Sequence, residues 1–578
     1  MDSRLKEYAK PYLIQYIIGF LLLILTNSFA LGVPWILKYA IDDLILNITY
    51  EKLTIYSLLI VAATLLQGGF RFFSRQRILK VSHMIQFDIL NDFFKCLLSL
   101  PLSFYNKNKT GDLISLATND LKSVRMMAGI GILNIMNTLI LVVCTITLLL
   151  MISVKLTLLA LVPLPLIAIF VKRYSRLIHK HYKGVQEEFA RINSKVHENV
   201  SGIRVVKAYT RSEDEVKLFD KLCRNYLEKN MKVVKLFGTI FPLVKMLSGC
   251  GVMMVLWIGG REVIAGNLTI GEFVAVNAYL AMLIWPMIAL GWVMTLYQRG
   301  HVAMDRINAV METIPEIVSP DEPVDTTISG NIKISDLTFR YADDLPPVLR
   351  NINIDVKSGE RVAIVGPTGA GKTTLANLMV RMYKVDDSKI FFDGVDVNKI
   401  DLTDLRRSIG YVPQETFLFS DTIRGNLAFG VENVTEEELR QYSDISDLLM
   451  NIEEFPNRFD TSLGERGINL SGGQKQRASI TRAIIKDPKV LILDDATSSV
   501  DVQTEENIIN RLVDSLKDST LVMVSHRIAT VMDFDKIIVL NEGEIEASGT
   551  HDELIKSAAG TYHKMYERYL IYKDLNIE

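Results

Sequence analysis

Long apolar runs dominate the first 300 residues of the chain, whereas short apolar runs separated by polar stretches follow. Runs near the ~20 residues that a bilayer core requires predict membrane-spanning helices. Six spans are predicted, at residues 12–37, 53–73, 126–151, 155–172, 236–260 and 273–298. The fourth contains two prolines, Pro163 and Pro165, and is retained because an even number of spans returns the chain to one side of the membrane.

Basic residues orient these spans, because lysine and arginine concentrate in cytoplasmic loops. Arg4, Lys6 and Lys10 precede the first span, and residues 74–125 between the second and third spans are also rich in lysine and arginine. The first connection is acidic instead, with Asp42 and Asp43. The N-terminus and everything after residue 299 are therefore expected in the cytoplasm, with the protein in the cytoplasmic membrane.

The two inner connections run over roughly 50 and 60 residues and keep a helical apolar period with little glycine or proline. They predict two long cytoplasmic helical hairpins, each reaching ~37 Å from the membrane at 1.5 Å per residue. Breaks at residues 101–111 and 208–213 mark the expected tips. Ordinary helix–helix turns at both places are the alternative.

A proline-rich, acidic linker is predicted at 314–331, and short β-branched strands then alternate with helical segments. Examples are 362–365, 490–493 and 521–524. The alternation predicts an α/β domain with a largely parallel sheet. The expected architecture is an all-α transmembrane bundle of six long helices at 1–313, the linker at 314–331 and an α/β P-loop domain at 332–578.

Composition agrees with a membrane part joined to a soluble part, since 49% of residues are hydrophobic and 22% are charged. A net charge of −2 supplies no basic footprint for DNA or RNA, so nucleic acid is not an expected partner. The four cysteines stand singly, without the spacing of a metal site or a disulfide framework.

A phosphate-binding loop follows the strand at 362–365. Its residues are Gly366, Pro367, Thr368, Gly369, Ala370, Gly371, Lys372, Thr373 and Thr374. The glycines let backbone N–H groups approach phosphate oxygens at a helix N-terminus, Lys372 reaches the terminal phosphates, and the Thr373 hydroxyl can bind Mg²⁺. The predicted ligands are therefore ATP and Mg²⁺.

Two acids, Asp494 and Asp495, end the strand at 490–493. A carboxylate at the carboxyl end of a buried strand can hold the water shell of Mg²⁺, which makes Asp494 the predicted metal-side acid. Asp495 would then face the γ-phosphate and the attacking water as the candidate catalytic group. Alternatively, Asp495 caps the helix that follows.

The segment Leu470-Ser-Gly-Gly-Gln474 completes a resemblance to the nucleotide-binding domain of ATP-binding-cassette (ABC) transporters across residues 332–566. Further matching residues are Tyr341, Gln414, Leu463–Gly467, Ser498–Asp501 and His526. The resemblance implies that Tyr341 stacks on adenine, that Gln414 binds Mg²⁺ or the attacking water, and that His526 donates to the γ-phosphate. It also implies that Ser471, Gly472, Gly473 and Gln474 complete the ATP site of a second cassette.

The order of membrane spans before one cassette resembles a half-transporter of the ABC exporters, most similar to bacterial multidrug and lipid types. A single cassette implies a dimer of two chains. The family usually has glutamate where this chain has Asp495, and misplacement of a catalytic group by ~1 Å can cost ~10²-fold in rate. A heterodimer whose partner carries the glutamate is favoured, and a slow homodimer is the alternative.

The expected function is ATP-driven export of hydrophobic or amphiphilic compounds, in contact with membrane lipid. Flexible methionines and aromatics in the last two spans, such as Met253 and Trp257, suit an adaptable pocket and suit lipid contact equally. Lys245 either faces a cavity or extends to the interface. A dedicated lipid or peptide translocase and an ATP-gated regulatory or channel subunit are the alternatives.

Overall fold

A computed structural model of the chain describes residues 3–464, 467, 469–557 and 560–574. Two compact units are formed. The first, the membrane unit, comprises Met1–Leu98 and Thr110–Thr313, and the second, the cassette unit, comprises Ser99–Lys109 and Ile314–Glu578. The short segment 99–109 thus belongs with the C-terminal half of the chain.

Helices build the whole of the membrane unit. They are α1 (Ser3–Ala9), α2 (Leu13–Leu46), α3 (Tyr50–Ser99), α4 (Leu102–Lys107, part of the cassette unit), α5 (Thr110–Ser115), α6 (Leu121–Met126), α7 (Ile132–Ile152), α8 (Val154–Leu161), α9 (Pro163–Ser201), α10 (Ile203–Ala208), α11 (Ser212–Ile264) and α12 (Ile270–Met311). Two π-helical turns, Leu116–Asp120 and Met127–Gly131, join α5, α6 and α7 into one long helix.

Within the described residues, five helices are long and apolar enough to cross a membrane. They are Arg4–Leu46, Tyr50–Ser99, Thr110–Ile152, Ser212–Ile264 and Ile270–Met311, and they contain five of the six predicted spans. The fourth predicted span falls on α8 and the start of α9, which meet at Val162 and Pro163. Several of its side chains lie outside the described part of the chain, so this fourth span stays a prediction.

The two inner hairpins follow the sequence pattern, with long helical arms and a short helix at each tip. Helix α4 occupies the predicted break at 101–111, and α10 occupies the region before the break at 208–213. Arms α9 and α11 pack together, and the buried Glu188 accepts hydrogen bonds from Lys229 at 2.7 Å and Arg191 at 3.2 Å. At 101–111 the chain forms the short helix α4, whereas at 208–213 helices α10 and α11 are joined by a turn at residues 209–211, as the alternative expects.

Helices α2 and α12 are joined at their expected outer ends by a polar cluster. Thr269 and Glu272 form a capping box at the start of α12, and Asp42 accepts from the Thr269 hydroxyl and from the Gly271 N–H. Lys38 pairs with Glu272 at 3.0 Å. The orphan N–H groups at this helix start are therefore satisfied by a neighbouring helix as well as by the local cap.

In the described residues of the cassette unit, ten strands form two sheets. They are β1 (Ile332–Phe339), β2 (Leu349–Val356), β3 (Arg361–Val365), β4 (Ile390–Phe392), β5 (Val395–Asp396), β6 (Ile409–Val412), β7 (Val490–Asp494), β8 (Thr520–Val524), β9 (Lys536–Asn541) and β10 (Glu544–Gly549). One sheet has the order β2-β1-β4-β5 and is antiparallel. The other has the order β10-β9-β3-β8-β7-β6, and only its β10–β9 pair is antiparallel. The predicted α/β domain with a largely parallel sheet is confirmed.

Helices of the cassette unit cover the parallel sheet and add a helical lobe. They are α13 (Lys372–Met379), α14 (Leu402–Ser408), α15 (Ile423–Leu427), α16 (Glu436–Ile445), α17 (Leu449–Glu454), α18 (Gly472–Ile484), α19 (Val502–Ser515), α20 (Ile528–Val531), α21 (His551–Ile555) and α22 (Thr561–Asp574). Strand β7 is buried along its whole length, as expected for a central strand covered on both faces. Its carboxyl end carries the two acids that the sequence singled out.

Candidate nucleotide-binding site

The loop after β3 is shaped to receive phosphates. Gly366, Gly369 and Gly371 all have positive φ, at 152°, 85° and 98°, which side chains rarely tolerate. A Cβ on Gly366 would lie 2.0 Å from the Leu540 carbonyl oxygen. At Gly369 a Cβ would meet nothing within 4 Å, so the loop is open on that side. The backbone therefore curls around free space at the N-terminus of α13.

Lys372 closes this loop from within. Its Nζ donates to the carbonyl oxygens of Gly366 and Pro367, each at 2.9 Å, and the side chain is buried. Burial lowers the pKa of Lys372, while the charges of Asp495 and Asp494 oppose that shift. Two carbonyl oxygens thus hold the ammonium group at the loop.

Asp494 fits the predicted metal-side role on its own geometry. It is fully buried, its Oδ1 accepts from the Thr373 hydroxyl at 3.2 Å, and its Oδ2 has no hydrogen-bond partner among the described residues. Burial raises the pKa of Asp494 to about 6, aided by the charge of Asp495 and opposed by the Thr373 hydrogen bond and by Lys372. A buried carboxylate with a free oxygen beside a hydroxyl is a suitable donor set for Mg²⁺.

Asp495 sits in the turn after β7 and is held in a left-handed conformation with φ of 50°. Its N–H donates to the Val524 carbonyl at 3.0 Å, and its Oδ2 lies 3.5 Å from the Gln414 Nε2. The alternative that Asp495 caps the next helix is wrong, because Asp501 is the N-cap of α19 and accepts from the Thr504 N–H.

These residues share one cavity of about 260 Å³ at the carboxyl ends of β3, β7 and β8. It is lined by Val348, Thr368, Gly369, Gly371, Lys372, Thr373, Thr374, Gln414, Asp494, Asp495, Val524 and His526. Burial, together with the charge of Lys372, lowers the pKa of His526, which favours the neutral imidazole. Tyr341 is not one of the lining residues, but its hydroxyl lies 2.7 Å from the hydroxyl of Thr374, which is. Ala370 is buried behind the loop.

Residues 471–474 do not line this cavity. Ser471 is the N-cap of α18 and forms a capping box with Gln474, so its hydroxyl accepts from the Gln474 N–H. A Cβ on Gly473 would lie 3.0 Å from the Ser499 carbonyl oxygen. The segment is therefore a separate, exposed helix start that lies outside the cavity.

Sequence reasoning missed two contacts near the site. Glu505 is buried in α19 and pairs with Arg527, directly after His526. Tyr383 packs against Tyr341 with ring centroids 5.1 Å apart. No local motif marks either residue, since both act through neighbours distant in the sequence. Glu465 and Arg466, within the matching segment 463–467, lie outside the described residues.

Comparisons with known proteins agree with this geometry. Residues 16–287 match the family of the ABC transporter transmembrane region, and residues 349–498 match the ABC transporter family. The chain is 35% identical over 572 residues to the probable multidrug resistance ABC transporter ATP-binding/permease protein YheI of Bacillus subtilis, covering 99% of this chain and 98% of that protein. It belongs to the ABC transporter family.

Other relatives place this ABC transporter among bacterial exporters. It is 32% identical to an ATP-dependent lipid A-core flippase of Syntrophus aciditrophicus over 98% of this chain and 94% of the flippase. A solved bacterial Atm1-family ABC exporter with ATP bound superposes with a TM-score of 0.79 at 26% identity, covering 97% of this chain and 98% of that one. The chain is a membrane-embedded, ATP-driven exporter with a cytoplasmic cassette, and exporters of this family act as dimers.

Proposed function

We propose that this chain is one half of a heterodimeric multidrug-type exporter, and that its own ATP site turns over slowly. The observation that carries the proposal is the composition of the cavity. It contains the P-loop, Asp494, Gln414 and His526, but an aspartate where the exporters of this family usually have glutamate, and residues 471–474 lie outside it. The site is thus incomplete within one chain and altered at its catalytic carboxylate.

The short side chain of Asp495 is the physical reason for slow turnover. The missing methylene withdraws the carboxylate by ~1.5 Å, and the turn cannot compensate because the Asp495 N–H is fixed to Val524. Misplacement of this order costs ~10²-fold in rate. Ser471, Gly472, Gly473 and Gln474 then complete the partner's site, which carries the glutamate and turns over faster.

The remaining residues of the cavity take the roles that the family resemblance implies. Residues 366–374 hold the phosphates of ATP, Tyr341 stacks on adenine, and Thr373, Gln414 and Asp494 hold Mg²⁺. When bound, Mg²⁺ supplies charge neutralisation on the phosphate oxygens. Gln414 and His526 report the state of the γ-phosphate to the rest of the cassette.

An ATPase assay separates the heterodimer from the slow homodimer. If the transporter is a heterodimer, the chain alone should hydrolyse ATP far more slowly than the complex purified with its partner. Asp495→Glu should then raise the ATPase rate of the complex by no more than about twofold, since one of the two sites is already fast. If the transporter is a homodimer, Asp495→Glu should raise the ATPase rate of the chain alone by up to ~10²-fold. A chain that alone is as fast as any complex would contradict the asymmetric site.

Cysteine cross-linking tests the association directly. In a background without Cys96, Cys144, Cys223 and Cys250, one copy carries Ser471→Cys and another carries Thr368→Cys. A cross-link between two copies of this chain in the presence of ATP would support the homodimer. In the heterodimer no such cross-link forms, and Ser471→Cys instead cross-links to a cysteine placed in the partner's P-loop.

The proposed cargo is a hydrophobic or amphiphilic compound. Exposed methionine and tryptophan side chains, such as Met253 and Trp257, lie along α11, and Lys245 on the same helix is also exposed. Lipid translocation is the second candidate, favoured by the relative named as a flippase. Vesicles that contain the chain and its partner should pump an amphiphilic dye against its gradient. Movement of a labelled lipid without dye transport would favour the second candidate.

A further inference from the structure

The nucleotide side of the cassette carries a cluster of three aromatic rings. Phe339 ends β1, Tyr341 follows two residues later, and Tyr383 lies four residues beyond the end of α13. Tyr341 and Tyr383 meet edge to face, with centroids 5.1 Å apart and planes at 79°, and Phe339 contacts both rings. Edge-to-face contact is a preferred aromatic geometry, so a displacement of one ring changes the packing of the other two.

One end of this cluster belongs to the nucleotide site. Tyr341 is 40% exposed and its hydroxyl lies 2.7 Å from the hydroxyl of Thr374, a residue of the P-loop helix. Tyr383 is also connected to the P-loop helix α13 along the chain. Between them is a turn at Arg381, in which the Met382 N–H donates to the Asn377 carbonyl at 2.9 Å. Two routes, one through rings and one through the helix, therefore connect Tyr383 to the P-loop.

The other end of the cluster contacts a residue from the N-terminal half of the sequence. The hydroxyl of Tyr383 accepts a hydrogen bond from the Asn106 side-chain amide at 2.9 Å. Asn106 lies in α4, in the segment Ser99–Lys109 that belongs to the cassette unit although α3 precedes it directly. A second bond, from the Ser103 hydroxyl to Glu316 at 3.3 Å, holds the same segment.

The Tyr383 hydroxyl is not required for packing alone. The residue is buried with 8% exposure, and a phenylalanine would fill the same space. A buried hydroxyl is retained at a cost unless it has a partner, and the partner found here is Asn106. Burial raises the pKa of Tyr383, so the group is a neutral hydroxyl at physiological pH.

We propose that Tyr383 is a positioning residue that links the adenine-side ring Tyr341 to Asn106 in the segment 99–109. The inference rests on the proposed function, because it assigns Tyr341 to adenine. A change in the position of Tyr341 on nucleotide binding is passed through the buried Tyr383 ring to the hydrogen bond with Asn106. Occupancy of this chain's own slow ATP site thereby biases the segment that follows α3, without any contact between Tyr383 and nucleotide.

The test uses the full chain with its partner in proteoliposomes and compares Tyr383→Phe with Asn106→Leu. Both variants keep the shape of the side chain and remove the hydrogen bond. Tyr562→Phe is the matched control, because it removes another buried tyrosine hydroxyl of the cassette unit, which lies 2.6 Å from the His551 Nδ1. Measured quantities are ATP affinity, ATPase without cargo, stimulation by cargo and transport per ATP hydrolysed.

We expect both test variants to keep ATP affinity and cargo-free ATPase, and to lower cargo stimulation and transport per ATP by about 3- to 10-fold. The double variant should be no worse than either single variant, because both remove the same bond. Tyr562→Phe should match the wild type. Asn106→Leu keeps the proposal testable if Tyr383→Phe does not fold.

Three outcomes would overturn the inference. They are an unchanged transport per ATP in both variants, an equal loss in Tyr562→Phe, and additive losses in the double variant. A wild-type complex that hydrolyses ATP without uphill transport contradicts the proposed function instead. A wild-type complex that transports normally beside an equally active Tyr383→Phe variant refutes only the role of Tyr383.

Discussion

Replacing Asp494 by asparagine should abolish an unfavourable pH dependence of cassette stability. Asp494 is fully buried, and burial raises its pKa from 3.8 to about 6. A carboxyl whose pKa rises on folding binds more protons in the folded state, so the free energy of unfolding falls as pH rises from about 4 to 6. The difference between the two pKa values corresponds to about 3 kcal/mol, and the loss is complete above both. Asparagine does not titrate, so Asp494→Asn removes this pH-dependent loss of stability.

Amide hydrogen exchange of β7 and β8 measures this effect where it acts. All four tryptophans, Trp35, Trp257, Trp285 and Trp292, lie in the membrane unit, so their fluorescence would report the wrong part of the chain. The full-length protein without nucleotide or Mg²⁺ is compared with Asp494→Asn at each pH, so that intrinsic exchange rates cancel. Protection of the variant relative to the wild type should grow by up to ~10²-fold between pH 4.5 and 7.5.

The pH trend is used because the new amide adds its own cost. An asparagine Nδ2 at the position of the buried Oδ2 has no partner among the described residues, and that penalty is the same at every pH. Asp535→Asn is the control with opposite sign. Arg361 holds the pKa of Asp535 below its usual value, so this carboxylate stabilises the fold above about pH 4. Asp535→Asn should therefore lower the free energy of unfolding by a larger amount as pH rises. A flat ratio for Asp494→Asn, or the same trend in both variants, would refute the reasoning.

Two further substitutions test packing and pairing. Gly271→Ala would place a Cβ 2.2 Å from the Lys38 carbonyl oxygen, so thermal unfolding followed by tryptophan fluorescence should shift down by several degrees, whereas Gly32→Ala, with nothing within 4 Å, should be neutral. Equal behaviour of both glycine variants would contradict the contact. Glu505→Gln should destabilise the cassette by about 1–3 kcal/mol, because it leaves Arg527 without its charge partner. Unchanged hydrogen exchange in α19 would show that the pair does not matter for stability.

Local signals made much of the fold predictable. The apolar runs are long and uniform, and the strands at 362–365, 490–493 and 521–524 are found as β3, β7 and β8 with ends shifted by no more than one residue. A P-loop needs only its own glycines, lysine and strand-to-helix setting. Both acids fall at the end of β7 because the strand itself fixes their position. Residue type, spacing and burial pointed to the same place.

Contacts between distant segments were not predictable in this way. The pairing of Tyr383 with Asn106 joins residues 277 positions apart, and nothing in either neighbourhood indicates the other. Helix capping by Asp495 was a reasonable local expectation, yet the chain makes a left-handed turn there and Asp501 begins the next helix instead. The fourth apolar run was ambiguous because its prolines divide it between α8 and α9.

The capping box at Ser471 has a consequence for assembly. Because Ser471 and Gln474 fix the first turn of α18 by their own hydrogen bonds, this helix start needs no contact with a second cassette in order to form. Binding of a second cassette at this helix start would fix few further rotamers of Ser471 and Gln474. The entropic cost of that contact is therefore small, which favours tight binding over a small area. Under the role proposed for Ser471 at the ATP of a second cassette, Ser471→Ala removes both the helix cap and that contact, whereas Ser471→Gly or Ser471→Asn keeps a good cap and isolates the loss of the contact.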